Sequence, residues 1–189
     1  MKDQIKMIIF VFILGIVAAS ILVGSDTYTK PIIEEYQEYA FKKTILTSFE
    51  IEHTQENVLD IYSENIKAEE IDDITFYYSE AGNVGFEFEG KGLWGPIEGF
   101  MTLESDYVTI QGVQITYNEE TPGLGGIIAE QWYLDKYKGK KFTPEILIKK
   151  DADMASDSEV DAITGATGTS DAFELILNQT YVERKGVLD

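Results

Sequence analysis

Cysteine is absent from this 189-residue chain, and histidine occurs once, as His53. Without cysteine there is no disulfide framework, thiolate zinc site, iron–sulfur cluster, cysteine nucleophile or lipidated cysteine. A single histidine rules out a histidine-rich metal site and leaves little for a Ser-His-Asp triad. No metal ligands and no acid–base or nucleophilic catalytic residue are therefore expected. Positive charge is also scarce, with 15 Lys and Arg against 34 Asp and Glu, a formal net charge of −19. Neutralising phosphates needs clustered cations, so no nucleic-acid partner is expected. Prolines number only 4, while 44% of the residues are apolar and 12% aromatic, enough to bury a core.

What the chain does have begins with an apolar run. Met7 to Gly24 carries no charge. As a helix it is about 27 Å long, close to the hydrocarbon thickness of a bilayer. Lys2 and Lys6 precede it, Asp26 follows, and the next cation is Lys30. The positive-inside bias puts the N-terminus in the cytoplasm and the rest outside. A cleaved signal peptide is the alternative, given Ala18, Ala19 and Ser20. The run ends in no A-x-A site and is longer than a signal core, which favours an uncleaved, lipid-embedded anchor. Setting aside Lys2, Lys6 and Asp3 leaves 13 cations and 33 anions, an acidic body kept soluble by its charge. The organisation expected is a cytoplasmic stub at 1–6, a transmembrane helix at 7–24, a membrane-proximal helical and acidic segment at 25–80, and an outer domain at 81–189.

Periodicity outlines the outer part. Thr29-Lys30-Pro31 opens an amphipathic helix bearing Ile32, Ile33, Tyr36, Tyr39, Ala40 and Ile45, which continues the membrane helix outward or packs beneath the domain. Residues 50–73 are acidic and mixed, with a short helix at Glu56–Tyr62. Ile74–Ser79 and Val84–Gly90 form a hairpin about Glu80–Asn83. Ile97–Leu103 pairs with Tyr107–Tyr117, whose alternation slips at Gly112 as at a bulge. A short helix is expected at Ile127–Tyr137, a closing strand at Glu145–Lys149, and a last helix from Ser170 to Arg184 with Phe173, Ile176, Leu177, Thr180 and Tyr181 inward. The fold class is α+β, a mostly antiparallel sheet flanked by helices.

Three glycine-bearing segments carry the candidate chemistry: Gly92-Leu93-Trp94-Gly95-Pro96, Glu120-Thr121-Pro122-Gly123-Leu124-Gly125-Gly126, and Asp161-Ala162-Ile163-Thr164-Gly165-Ala166-Thr167-Gly168-Thr169-Ser170. In the third, small residues let backbone amides approach an anion, and the segment runs into a helix N-terminus that favours phosphate. Thr164, Thr167, Thr169 and Ser170 offer hydroxyls, with Thr169 or Ser170 as N-cap. Physics alone reads this as a phosphate cradle or as a plain capped turn. Asp161 repels phosphate, so it either caps the loop or is read by a modifying enzyme. Lys149 and Lys150 either offset a phosphate or end a strand at the surface.

Asp161-Ala162-Ile163-Thr164-Gly165-Ala166-Thr167 resembles the flavinylation signature D-x-x-[ST]-G-A-[ST], whose last hydroxyl carries covalent FMN. The family resembled is the membrane-anchored FMN-binding subunit of two related ion pumps. Its two branches are NqrC of the Na+-translocating NADH:quinone reductase (NQR) and RnfG of the ferredoxin:NAD+ reductase complex (RNF). Glu120 to Gly125 resembles the family's E-T-P-G-L-G segment, and Gly92 to Gly95 a further element, in the family's order behind its one membrane helix. The resemblance implies FMN joined to Thr167 by a phosphoester, with Thr164, Gly165, Ala166 and Ser170 around the phosphate. Glu120, Thr121, Gly123, Leu124, Gly125, Leu93 and Trp94 then line the pocket. It implies a flavin transferase for maturation and other membrane subunits as partners, at the bacterial cytoplasmic membrane with the flavin outside. The implied role is an electron relay in a Na+- or H+-translocating oxidoreductase, which needs no catalytic side chain of its own. Gly92–Gly95 and Gly125-Gly126 look more like the NQR branch, the short chain more like the RNF branch. A free-standing outer flavoprotein and a non-redox tethered binding module are the other readings.

Overall fold

A computed structural model describes residues 2–153 and 155–188. The chain divides into two compact units, one reaching to Ala40 and one starting at Phe41.

The first unit is most of one helix, α1 (Lys2–Ser48). Its most apolar 18-residue window has a mean hydropathy of 2.9 and buries nothing, so the helix is long and apolar enough to cross a membrane. Of the two placements expected for the helix at Thr29-Lys30-Pro31, the structure has the outward continuation of the apolar helix: α1 runs unbroken through Pro31. Proline removes the one rung that its N–H would make to the Thr27 carbonyl. Thr27 and Thr29 meanwhile donate their hydroxyls to the carbonyls of Val23 and Ser25 at 2.8 and 2.9 Å.

The second unit is built on a five-stranded antiparallel meander in the order β1-β2-β3-β4-β5. The strands are β1 (Ile66–Ile71), β2 (Ile74–Ser79), β3 (Val84–Lys91), β4 (Pro96–Leu103) and β5 (Ile110–Asn118). Alternation in β3 sends Val84, Phe86 and Phe88 to one face, opposite Leu103, Met101 and Gly99 of β4. Against that face pack Phe173, Ile176, Leu177 and Tyr181 of α4 (Thr167–Leu188). The opposite face holds Tyr77 and Phe100, packed edge-on against Phe41 from the last turns of α1. The bulge signalled at Gly112 is present, since Thr102 faces Gly112 while Leu103 faces Ile110. Glycine is needed there because a Cβ would stand 2.5 Å from the Ser48 carbonyl oxygen.

Several boundaries differ from the sequence expectation. Asp106 accepts from the amides of Val108 and Thr109 at 2.9 and 2.8 Å, so β5 begins at Ile110 rather than Tyr107. The acidic stretch holds α2 (Val58–Asn65) instead of a helix at 56–62, and then β1, which was not expected. β1 is an edge strand with Lys67, Glu69 and Glu70 outward, so it has no apolar alternation to betray it. Its turn to β2 is made by Asp72 and Asp73, both with positive φ. The boundary expected at 80/81 thus falls inside the β2–β3 hairpin, and the compact unit starts at Phe41.

Residues 127–137 form not one helix but three short pieces: 3-10 turns at Gly125–Ala129 and Asp135–Tyr137 around α3 (Gln131–Leu134). Extended backbone at Glu130 breaks the run. Tyr133 and Tyr137 still point into the core, 5.8 Å apart, and Tyr137 lies 5.6 Å from Phe173. The strand expected at Glu145–Lys149 is β6 (Leu147–Lys149), paired in parallel with β7 (Glu159–Asp161) outside the main sheet. His53 is half-buried and its ring meets its neighbour Ile51's carbonyl at 2.8 Å.

Candidate functional site

The three glycine segments, far apart in sequence, meet at the N-terminal end of α4. Gly92–Gly95 is the tip of the β3–β4 hairpin, closed by the Gly92 amide on the Gly95 carbonyl at 2.8 Å. Pro122-Gly123 forms a tight turn, with the Leu124 amide on the Thr121 carbonyl at 3.1 Å and Gly123 at φ +75°. The strand β7 ends at Asp161 and feeds a second such turn. There Ala166 donates to the Ile163 carbonyl at 3.0 Å and Gly165 has φ +84°.

The final helix starts at Thr167, not at Ser170 as the sequence suggested. Its first intrahelical bond runs from the Ser170 amide to the Ala166 carbonyl at 3.0 Å. Thr169 and Ser170 therefore sit inside the first turn and are not N-caps. Their hydroxyls serve other partners. Ser170 Oγ accepts from the Ile163 amide and donates to the Ala166 carbonyl, both at 3.1 Å, and is fully buried. Thr169 Oγ1 donates to Glu120 Oε2 at 2.6 Å. Thr164 and Thr167 alone among the motif hydroxyls are exposed. In this geometry the amides of Thr167, Gly168 and Thr169 lie at the open, positive end of the helix ladder.

Glu120, only 5% exposed, joins all three segments. Its Oε1 accepts from the Leu93 and Trp94 amides at 2.8 and 3.1 Å, and its Oε2 takes the Thr169 hydroxyl. The glycines make room for it. A Cβ on Gly92 would lie 2.5 Å from Oε1, and one on Gly125 would lie 2.6 Å from Oε2.

Above this clasp is apolar surface open to solvent. Leu93 is 53% exposed, Trp94 70% and Leu124 45%. Leu93 lies against Gly168, where a Cβ would come within 3.2 Å of it, and Leu124 lies beside Gly165. Thr167 is thus bracketed in sequence by two glycines, each with a leucine against it. A flat apolar ring carrying a phosphate fits these features: exposed leucines and a tryptophan for the ring, small residues for close approach, and helix amides for the anion. Thr121 and Gly123 are exposed on the neighbouring turn, while Gly125 and Ala166 are buried beneath it.

The flanking charges also have places. Asp161 Oδ1 accepts from the Ala152 amide at 3.1 Å and Oδ2 lies 3.8 Å from Lys136, so Asp161 caps the loop before it. Lys149 pairs with Glu159 at 2.8 Å where β6 meets β7, which is the strand-end reading of that lysine. Burial holds the phenols of Tyr133 and Tyr137 above their ordinary range; Tyr133 also meets Ser170. Sequence reasoning did not find the Glu120–Thr169 bond, because nothing local links residues 49 positions apart.

A family model described as "FMN-binding domain" matches residues 92–182. The C subunit of the Na(+)-translocating NADH-quinone reductase from Pasteurella multocida is 35% identical over 101 residues, 49% of this chain and 39% of that protein. Its counterpart of the same name from Vibrio alginolyticus is 34% identical over 101 residues, 50% of this chain and 40% of that protein. The chain therefore spans about two-fifths of the length of these curated relatives. Two solved structures share the α+β fold. NqrC of Shewanella oneidensis superposes with a TM-score of 0.68 at 18% identity, covering 75% of this chain and 90% of that one. The C subunit of the Na(+)-translocating NADH-quinone reductase from Parabacteroides distasonis gives 0.69 at 24%, covering 79% and 92%.

Proposed function

We propose, from the premise that residues 92–182 are an FMN-binding domain in a relative of the NADH-quinone reductase C subunits, that this chain is a membrane-tethered electron relay. In this reading FMN is joined through its phosphate to Thr167 Oγ1. When bound, FMN supplies one- and two-electron redox chemistry at potentials set by its surroundings.

The chain's own residues bind, orient and shield. Leu93, Trp94 and Leu124 cover the ring, and Gly165 and Gly168 keep the backbone low beneath it. The first amides of α4 hold the phosphate oxygens and offset their charge. Thr164 stands exposed beside the attachment point, and Ser170 fixes the turn that presents it. A covalent bond keeps the cofactor in place on the outer face of the bacterial cytoplasmic membrane, where a lost flavin would not be replaced. Residues 7–24 embed in lipid with the N-terminus inside, and one uncharged helix conducts no ion by itself. Sodium or proton translocation belongs to neighbouring membrane subunits of an NQR- or RNF-type complex, and attachment of FMN to a flavin transferase. The relatives named above carry the NQR name, which favours that branch.

The observation that carries this reading is the state of the hydroxyls. Thr167 is exposed at the first residue of α4 among solvent-open apolar side chains, while Thr169 and Ser170 are buried and bonded inward. The test is denaturing electrophoresis of the full chain made with an active flavin transferase. A fluorescent flavin band that survives denaturation and disappears in Thr167→Ala supports the proposal. A band that persists in Thr167→Ala, or that never forms, overturns it.

A further inference from the structure

Glu120 opens a motif whose counterpart is expected to touch the flavin, yet its side chain is committed elsewhere. It is buried beneath the exposed leucines, and three protein donors converge on its two oxygens. Two of the donors are consecutive amides at the β3–β4 tip, and the third is the Thr169 hydroxyl in the first turn of α4. Gly92 and Gly125 stand where any side chain would collide with the carboxylate. The Glu120 amide is held in turn by Asn118 Oδ1 at 3.1 Å. Such a seat is built for a side chain of this length and shape.

We infer that Glu120 is a positioning residue that selects between the two helix hydroxyls: it turns Thr169 inward and pins the Leu93–Trp94 tip, so that Thr167 rather than Thr169 is presented beneath the apolar wall. Thr167 and Thr169 flank Gly168, and both are threonines on one helical turn. What separates them is that the Thr169 hydroxyl is spent on Glu120. The inference rests on the Thr167 reading and adds to it the reason for that choice of residue. It is a matter of shape rather than charge. A glutamine keeps the length, accepts from the two amides through its oxygen and donates to Thr169 through its nitrogen. An aspartate keeps the charge but is one methylene short of spanning both sides.

The experiment uses the full chain in detergent, produced with a flavin transferase, as wild type, Glu120→Gln, Glu120→Asp and Glu120→Ala. Intact mass gives the rate and extent of flavin attachment. Trypsin cuts after Lys150 and Arg184, so one peptide carries Thr164, Thr167, Thr169 and Ser170, and its fragmentation gives the site. Glu120→Gln is expected to match wild type in rate, site, visible circular dichroism and flavin midpoint potential. Glu120→Asp and Glu120→Ala are expected to slow attachment about tenfold, the effect of losing a buried acceptor, and to place part of the flavin on Thr169. That Thr169 fraction vanishes when Thr169→Ala is added. Glu120→Asp keeps the test decisive if Glu120→Ala does not fold. Three results overturn the inference: Asp and Ala variants modified at the wild-type rate on Thr167 only, a Gln variant as impaired as the Ala variant, or a shifted potential in Glu120→Gln. An impaired Gln variant means that charge rather than shape holds the clasp, and a shifted potential means that the charge acts on the flavin directly. A wild-type chain that takes no flavin overturns the Thr167 reading and this inference with it.

Discussion

Replacing Gly125 with alanine would set a methyl group 2.5 Å from Thr169 Oγ1 and 2.6 Å from Glu120 Oε2, two atoms that bond each other at 2.6 Å. Neither atom belongs to the backbone, but both side chains are buried, so yielding to the methyl means breaking a hydrogen bond to a carboxylate. That costs about 1.5–3 kcal/mol, and residual crowding brings the total to about 3 kcal/mol. In a chain of this size the loss lowers the melting temperature by roughly 6–12 °C. Thr169→Ala alone costs about 2 kcal/mol, because it leaves Oε2 buried without its donor. The two changes remove the same bond, so their effects overlap: Gly125→Ala in the Thr169→Ala background adds at most about 1 kcal/mol. Near-UV circular dichroism of the full chain in detergent reads this through packed aromatics such as Tyr133 and Tyr137. A Gly125→Ala chain that melts with wild type, or strict additivity with Thr169→Ala, would refute the clasp.

Phe173 is fully buried between Phe88 and Tyr137, so Phe173→Ala should lose about 3–5 kcal/mol in urea unfolding; a loss below about 1 kcal/mol would contradict the packing described. Trp94 is 70% exposed, and Trp94→Ala should change stability by no more than about 0.5 kcal/mol. The same variant should alter the visible circular dichroism of the flavin-loaded chain, and an unaltered spectrum would remove Trp94 from the pocket. The Glu159 carboxyl lies below its ordinary range because Lys149 and the Asp153 amide donate to it. A lowered carboxyl stabilises the fold above the ordinary glutamate value of about 4.3, and that contribution is lost as pH falls through the native value. The stability gap between wild type and Lys149→Met should accordingly close in acid, and a gap that stays constant with pH would show that the pair does not titrate as described.

Much of the sheet was legible because its strands alternate. Phe86 and Phe88 point to the core and Glu87 and Glu89 away, so the β2–β3 hairpin declares itself. The charged edge strand β1 has no such signature, and its pairing with β2 is fixed by the Asp72-Asp73 turn rather than by apolar spacing. Small residues at Ala166 to Thr169 hid the true start of α4, since glycine and threonine are weak helix formers that hydrogen bonding from elsewhere holds in place. The candidate site was legible as three segments but not as one assembly. Bonds spanning 27 and 49 residues bring those segments together, and no local pattern records them. By spacing alone the last segment was a phosphate cradle or a capped turn; the resemblance singled out Thr167, and its exposure beside buried Thr169 and Ser170 accords with that choice.

The intact mass of the full chain, made with and without an active flavin transferase, bears most directly on the claim that Thr167 carries the cofactor. A gain equal to FMN less one water is expected, present only with the transferase and absent in Thr167→Ala. No gain beside an active transferase, or the same gain in Thr167→Ala, would contradict it.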